Sequence, residues 1–79
     1  MKARVFVTLK KSVFDPQGKT IQDALHSLGY HGVTDVRQGK FFELDLDAGS
    51  ATQAQQLASE VADKVLANPV IESYRVEVD

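Results

Sequence analysis

A glycine at position 39 separates two stretches of this sequence that are rich in β-branched and aromatic residues. The stretches span residues 33–37 and 41–47, and a glycine between two such stretches is typical of a hairpin turn. The second stretch alternates between apolar and mostly polar residues, as a strand with one buried face does. Its apolar members on one side are Phe42, Leu44 and Leu46. We therefore predict a turn over residues 38–40 that joins two antiparallel strands.

Apolar residues recur with helical spacing on each side of this predicted hairpin. A stripe that repeats every three or four residues predicts an amphipathic helix with one face buried. The first stripe consists of Ile21, Ala24, Leu25 and Leu28. The second consists of Ala54, Leu57, Ala58, Val61, Ala62 and Val65. The alanines of the second stripe indicate a helix that approaches its neighbour closely.

Capping residues define where the two predicted helices begin and end. Asp15 precedes Pro16, and this pair is typical of a helix start, because proline at the first helical position lacks only an amide that would be unpaired anyway. Gly29 is placed to end the first helix in a left-handed conformation. Ser50 and Gln53 have the spacing of a capping box at the start of the second helix.

Two outer strands complete the pattern. Residues 3–10 alternate, and residues 70–78 form a last strand after Pro69. The order β-α-β-β-α-β predicts an α+β fold with a four-stranded antiparallel sheet, two helices on one face and a ferredoxin-like topology. We expect the 79 residues to form a single domain, 1–79, that associates with other copies through its sheet.

The sheet face opposite the helices is predicted to carry exposed aromatic rings. Phe6 and Phe41 point away from the apolar side of their strands, and the predicted order makes these strands neighbours. Chains of this size bury only a modest fraction of their surface, and association covers more of it. We therefore expect self-association, with Phe6, Phe41 and Tyr74 as candidate contact residues.

Composition excludes several classes of function. The net charge of −2 is unlike that of general nucleic-acid binders, which are basic. The chain has no Cys, so it has no thiolate nucleophile and no Cys-based metal site. No apolar run approaches the roughly 20 residues of a membrane span. Since the N-terminus leads directly into a strand pattern and not into a signal peptide, we expect a cytoplasmic protein.

The remaining polar residues offer no catalytic constellation. Aromatic residues on two neighbouring strands occur in RNA-recognition modules, but the acidic residues beside Phe41 would repel phosphates. These are Glu43, Asp45 and Asp47, and we interpret them as a solvated strand face. His26 and His31 are expected to be solvated as well. No glycine-rich phosphate loop is present, so we expect the chain to bind no cofactor and no metal.

Four blocks of the sequence resemble the PurS family, the small subunit of bacterial and archaeal phosphoribosylformylglycinamidine synthase. The blocks span residues 8–18, 24–28, 35–40 and 66–75. The most specific pieces are Asp-Pro-Gln-Gly in the first block and Val-Arg-x-Gly-Lys in the third, where x is any residue. The second helix matches only in its apolar pattern.

The resemblance implies a role in purine biosynthesis as a non-catalytic subunit. In this family a synthetase subunit uses ATP and magnesium to convert formylglycinamide ribonucleotide to formylglycinamidine ribonucleotide, and a glutaminase subunit supplies the ammonia. The small subunit dimerises and bridges the other two. The expected partner-binding residues are Lys10, Asp15, Gln17, Arg37 and Lys40. The alternative interpretation is a free-standing regulatory domain of ACT-like character that binds a small metabolite.

Overall fold

The computed structural model describes all of residues 1–79 and contains three strands and two helices. In chain order these are β1 Lys2–Leu9, α1 Pro16–Ser27, β2 Gly39–Asp45, α2 Ala51–Val61 and β3 Glu72–Val78. A single π-helical turn, Ala62–Leu66, extends α2. The strands form one antiparallel sheet in the order β2-β1-β3, so the first strand is the central one. The fold is therefore α+β, as the sequence pattern predicts.

The core lies between the central strand and α2. Ala3, Val5 and Val7 are completely buried on the face of β1 that α2 covers. Three alanines of α2 and the following turn are also completely buried: Ala54, Ala58 and Ala62. Because residues four apart lie on one face of a helix, this row of small side chains lets α2 approach the sheet closely.

The predicted helix ends are confirmed. Asp15 caps α1 by accepting a hydrogen bond from the backbone N–H of Gly18 at 2.9 Å. Gly29 has a φ of 96°, the left-handed conformation expected at the end of α1. Ser50 accepts from the backbone N–H of Gln53 at 3.2 Å. The return bond differs from a capping box, because Gln53 Oε1 accepts from Gly49, one residue before the cap.

The predicted hairpin at residues 38–40 is wrong. Gly39 is the first residue of β2 and lies opposite Thr8 of β1. Residues 33–38 form no strand, so the chain has three strands where four are predicted. The physical reason is that this segment is bonded to α1 and to Asp15, and not to the outer edge of β2, where the predicted hairpin would place it. Gln22 Nε2 donates to the Thr34 carbonyl at 2.8 Å, for example.

The prediction that both helices cover one face of the sheet is also wrong, because only α2 packs on the strands. α1 and the returning segment 28–38 form an extension, which we call the arm; the sheet and α2 form the body. The radius of gyration is 15.7 Å and the extents are 50 × 25 × 14 Å. A compact chain of this length would have a radius near 12 Å. The ferredoxin-like arrangement, in which α1 lies on the sheet, is therefore absent from the single chain.

Neither helix combines the length and the apolar content that crossing a bilayer would require.

Candidate functional site

The arm meets the body at a polar cluster that we call the joint, composed of Asp15, Gly18, Arg37 and Gln38. Asp15 is buried, with 5% of its surface exposed. Besides capping α1, its carboxylate accepts a hydrogen bond from the backbone N–H of Gln38 at 2.7 Å. One carboxylate therefore links the start of α1 to the end of the segment that returns along it.

Arg37 links the same returning segment to the connection between β1 and α1. Its Nη2 donates to the carbonyl oxygens of Lys10 at 2.9 Å and Val13 at 3.0 Å, with Leu9 more distant at 3.4 Å. A planar guanidinium suits such a role, because its donors have fixed directions and its charge is permanent. The side chain thus bonds carbonyls of the connection between β1 and α1, of which that of Lys10 also accepts from the Val13 N–H at 2.9 Å.

Glycine is required at two positions around the joint. A Cβ on Gly18 would lie 2.1 Å from the carbonyl oxygen of Val36, and a Cβ on Gly39 would lie 2.3 Å from that of Val7. Both distances are far inside van der Waals contact, and both neighbours are backbone atoms that cannot rotate away. These glycines allow the chain passages to approach each other, a requirement that the spacing of residues in the sequence does not reveal.

The pKa of Asp15 lies below its ordinary value of 3.8. The main cause is the hydrogen bond from the Gln38 backbone, followed by that from Gly18, and the positive charge of Arg37 acts in the same direction.

This depressed pKa predicts a pH dependence of stability. A carboxylate with a lowered pKa in the folded state stabilises the fold above the pKa of the unfolded state, and this contribution is lost as pH falls through the folded value. We expect the free energy of unfolding of the parent chain to decline from about pH 5 downward. In Asp15→Asn the decline should be smaller over the same range. Urea unfolding between pH 2.5 and 7 measures this, and equal slopes for Asp15→Asn and its parent would contradict it.

A shallow polar pocket of about 200 Å³ lies beside the joint. It is lined by Leu9, Asp15, Gln17, Gln38, Gly39, Lys40 and Glu72. Lys40 Nζ lies 3.5 Å from a carboxylate oxygen of Glu72, whose other oxygen accepts from the Asn68 backbone at 2.7 Å. These contacts connect the start of β3 to the start of β2 beside the pocket.

The structure brings the five predicted partner-binding residues to the region where the arm meets the body. Asp15, Gln17 and Lys40 line the pocket, and Arg37 binds the carbonyl of Lys10. Their binding of partners stays a prediction. The structure adds that Asp15 and Arg37 already have partners within the chain. Sequence reasoning assigned no role at the site to Gly18, Gln38 and Glu72. All three lie in the blocks that carry the family resemblance, which was the available signal, and only the fold brings them together.

The open sheet face forms a second candidate surface. The rings of Phe6 and Phe41 lie side by side with centroids 5.0 Å apart, which confirms their predicted proximity. The Arg75 guanidinium lies over the Phe6 ring at 4.3 Å. Tyr74 is not part of this face, because it lies opposite Val7 and therefore shares the side that α2 covers. The role of these aromatic residues in self-association stays a prediction.

The histidines and carboxylates form no further site. His26 is half-buried, with its Nε2 2.7 Å from the carbonyl oxygen of Val33, so it is not the solvated side chain that the sequence predicts. The His31 ring lies beside it, with centroids 5.7 Å apart. No group of three or more His, Cys, Asp or Glu residues could hold a metal ion.

Comparison with known proteins places this geometry in a family. The family model for PurS, described as phosphoribosylformylglycinamidine (FGAM) synthase, matches residues 2–79. The chain is 50% identical over 78 residues to the phosphoribosylformylglycinamidine synthase subunit PurS of Bacillus subtilis, which covers 99% of this chain and 92% of that protein.

Solved structures agree with the sequence comparison. The chain is similar to Methanocaldococcus jannaschii PurS, one of the subunits of formylglycinamide ribonucleotide amidotransferase in the purine biosynthetic pathway. The TM-score is 0.89 at 37% identity, over 99% of this chain and 94% of that one. It is also similar to a chain of PurLQS from Thermotoga maritima, with a TM-score of 0.88 at 30% identity over 96% and 93% of the two chains. The chain therefore belongs to the PurS family.

Proposed function

We propose that this chain is the small, non-catalytic subunit of phosphoribosylformylglycinamidine synthase in purine biosynthesis. The observation that carries the proposal is the match of nearly the whole chain, in sequence and in fold, to PurS proteins that are subunits of this enzyme. The absence of a nucleophilic Cys and of a phosphate-binding loop agrees with a role in assembly. ATP and magnesium then belong to the synthetase subunit, and the whole chain, 1–79, acts as one unit in the cytoplasm.

The chain would bridge the glutaminase and the synthetase so that ammonia passes between them. The likeness to a chain of PurLQS supports a ternary assembly. The region around the joint and the pocket is the proposed contact surface for the larger subunits. It presents Lys10, Gln17 and Lys40 at the surface, where charged and polar groups steer association and fix register.

We also propose that the chain forms a homodimer or a larger homo-oligomer through its open sheet face. Phe41 is 51% exposed, and its ring lies against that of Phe6 to form an apolar patch. Arg75 covers part of the Phe6 ring, and the Phe41 ring remains open to solvent. The completely buried core is limited to small side chains and two valines, so additional apolar burial would contribute much to stability.

Reconstitution of the enzyme tests the proposed function. We expect the isolated chain to hydrolyse neither glutamine nor ATP. Added to the synthetase and glutaminase subunits, it should restore glutamine-dependent synthesis and leave ammonia-dependent synthesis nearly unchanged, because only the former needs the glutaminase docked. Gln56→Ala, an exposed substitution on α2 away from the joint, is the control and should restore glutamine-dependent synthesis as fully as the parent chain does. Full glutamine-dependent synthesis without this chain would contradict the proposal.

The ACT-like alternative has less support. Such a domain binds its metabolite between two β-α-β units, whereas the three pockets of this chain, of about 200–390 Å³, lie at the joint and along the arm. A specific rise in melting temperature with one small metabolite, together with failure to bind either larger subunit, would favour the alternative.

A further inference from the structure

The arm is held to the body without a shared apolar core. α2 packs on β1 and β3, but α1 packs on no strand to a comparable extent. Its apolar stripe remains largely open, with 40% of Ile21 and 74% of Leu28 exposed. The side chains of α1 that do bond to another segment are Gln22 and His26, and their partners at residues 33 and 34 belong to the arm itself.

Two chain passages connect the arm to the body, and the joint ties these passages together. The outgoing passage contains Lys10 and Val13, whose carbonyls accept from Arg37 of the returning passage. In the opposite sense, Asp15 of the outgoing passage accepts from the backbone of Gln38 in the returning one. The two passages are thus bonded in both directions within a few residues.

Hydrogen bonds restrict the angle between arm and body more strongly than apolar contacts would. Burial of apolar surface is non-directional, whereas an N–H···O bond weakens steeply when its angle departs from linearity. The contact of Gly18 with the Val36 carbonyl adds a steric limit, because the helix can approach no closer. Directional bonds and backbone contact together define one orientation of α1 relative to the sheet.

We propose that the joint fixes the angle between arm and body, and that this angle is required for assembly with the larger subunits. The second half rests on the proposed function; the first half does not. Asp15 and Arg37 are then positioning residues, which act by holding two surfaces of the chain in one rigid arrangement. Any direct contact that they make with a partner is secondary to this role.

Distance measurement by pulsed electron paramagnetic resonance tests the first half. The chain has no Cys, so Ser27→Cys on α1 and Gln56→Cys on α2 provide two exposed labelling sites. Dilution with unlabelled chain restricts the signal to distances within one copy. We expect one narrow distribution for the parent chain and a broad one for Arg37→Ala and Asp15→Asn. Arg37→Lys should also broaden it, since lysine is shorter and its ammonium lacks the fixed donor plane of a guanidinium.

Controls separate the joint from general surface effects. Lys11→Ala removes a cation from the connection between β1 and α1, and Asp23→Asn removes a carboxylate whose partner is Lys19 within α1. Both should keep the narrow distribution. Circular dichroism shows whether each variant is folded. A broad distribution in the parent chain, or narrow ones in all folded joint variants, would overturn the proposal, whatever happens to stability.

Affinity for the larger subunits tests the second half. If a variant spends about a tenth of its time at the required angle, its apparent Kd should rise about tenfold. Titration calorimetry with the synthetase and glutaminase subunits measures this change. A broadened distribution with unchanged affinity would overturn the assembly role. If the parent chain binds neither subunit, the proposed function fails, while the distance distributions still support or overturn the fixed angle.

Discussion

Replacement of Phe41 by serine should weaken self-association of this chain by about 10- to 100-fold. Burying a whole phenylalanine side chain contributes roughly 1.5–3 kcal/mol. Only the exposed half of Phe41 remains available, because 51% of its surface is open in the single chain. In a two-fold symmetric dimer the substitution occurs twice, so the total loss is again about 1.5–3 kcal/mol. Each 1.4 kcal/mol corresponds to a factor of about ten.

Sedimentation velocity over a concentration series measures this change. Phe14→Ser is the matched control, because Phe14 is 70% exposed and lies in the connection before α1, outside the open sheet face. It should leave the association constant within a factor of about two, since lone exposed apolar residues need no partner. Two observations would contradict the proposed interface. One is an equal loss in both variants, and the other is a parent chain that stays a monomer of 8.7 kDa at all concentrations.

Gly18→Ala should destabilise the chain, although alanine is the better helix former. Helix propensity alone predicts a gain of up to about 1 kcal/mol. The added methyl group would lie 2.1 Å from the Val36 carbonyl oxygen and 2.8 Å from a carboxylate oxygen of Asp15. Overpacking of this kind costs about 1–3 kcal/mol, and backbone neighbours place the cost at the upper end. We expect the free energy of unfolding to fall by about 1–2 kcal/mol. Each kcal/mol lowers Tm by roughly 4–8 °C in a domain of this size.

Gly32→Ala is the control for this prediction. Gly32 has open space where its Cβ would be and does not adopt a positive φ. Alanine there should be neutral or should stabilise by about 0.4–1 kcal/mol, because it reduces the freedom of the unfolded chain. Thermal unfolding of the parent and the two variants under identical conditions measures both changes in Tm. A Tm for Gly18→Ala equal to or above that of the parent would show that the backbone at Val36 moves to accommodate the methyl group, which would contradict a tightly packed contact.

The amino-acid sequence alone determined the elements whose causes are local. Alternation predicted the strands around Val5, Phe42 and Val76, and the capping residues Asp15 and Ser50 placed the starts of both helices. These features depend on side-chain period and on hydrogen bonds between residues three or four apart, so they can be read from spacing. The pairing of Phe6 with Phe41 was predicted as well, because it needs only the face of each strand and their adjacency.

Only the tertiary structure decided the number of strands, the direction of α1 and the joint. The stretch 33–38 has the composition of a strand, yet its backbone groups bond to α1 and Asp15. Local pattern could not exclude this, because the choice between two sets of partners depends on residues more than ten positions away. For the same reason the sequence placed Arg37 and Asp15 on the surface for a partner, whereas the fold engages both within the chain. Long-range hydrogen bonds between backbone and side chain have no periodicity, and the three-dimensional fold alone reveals them.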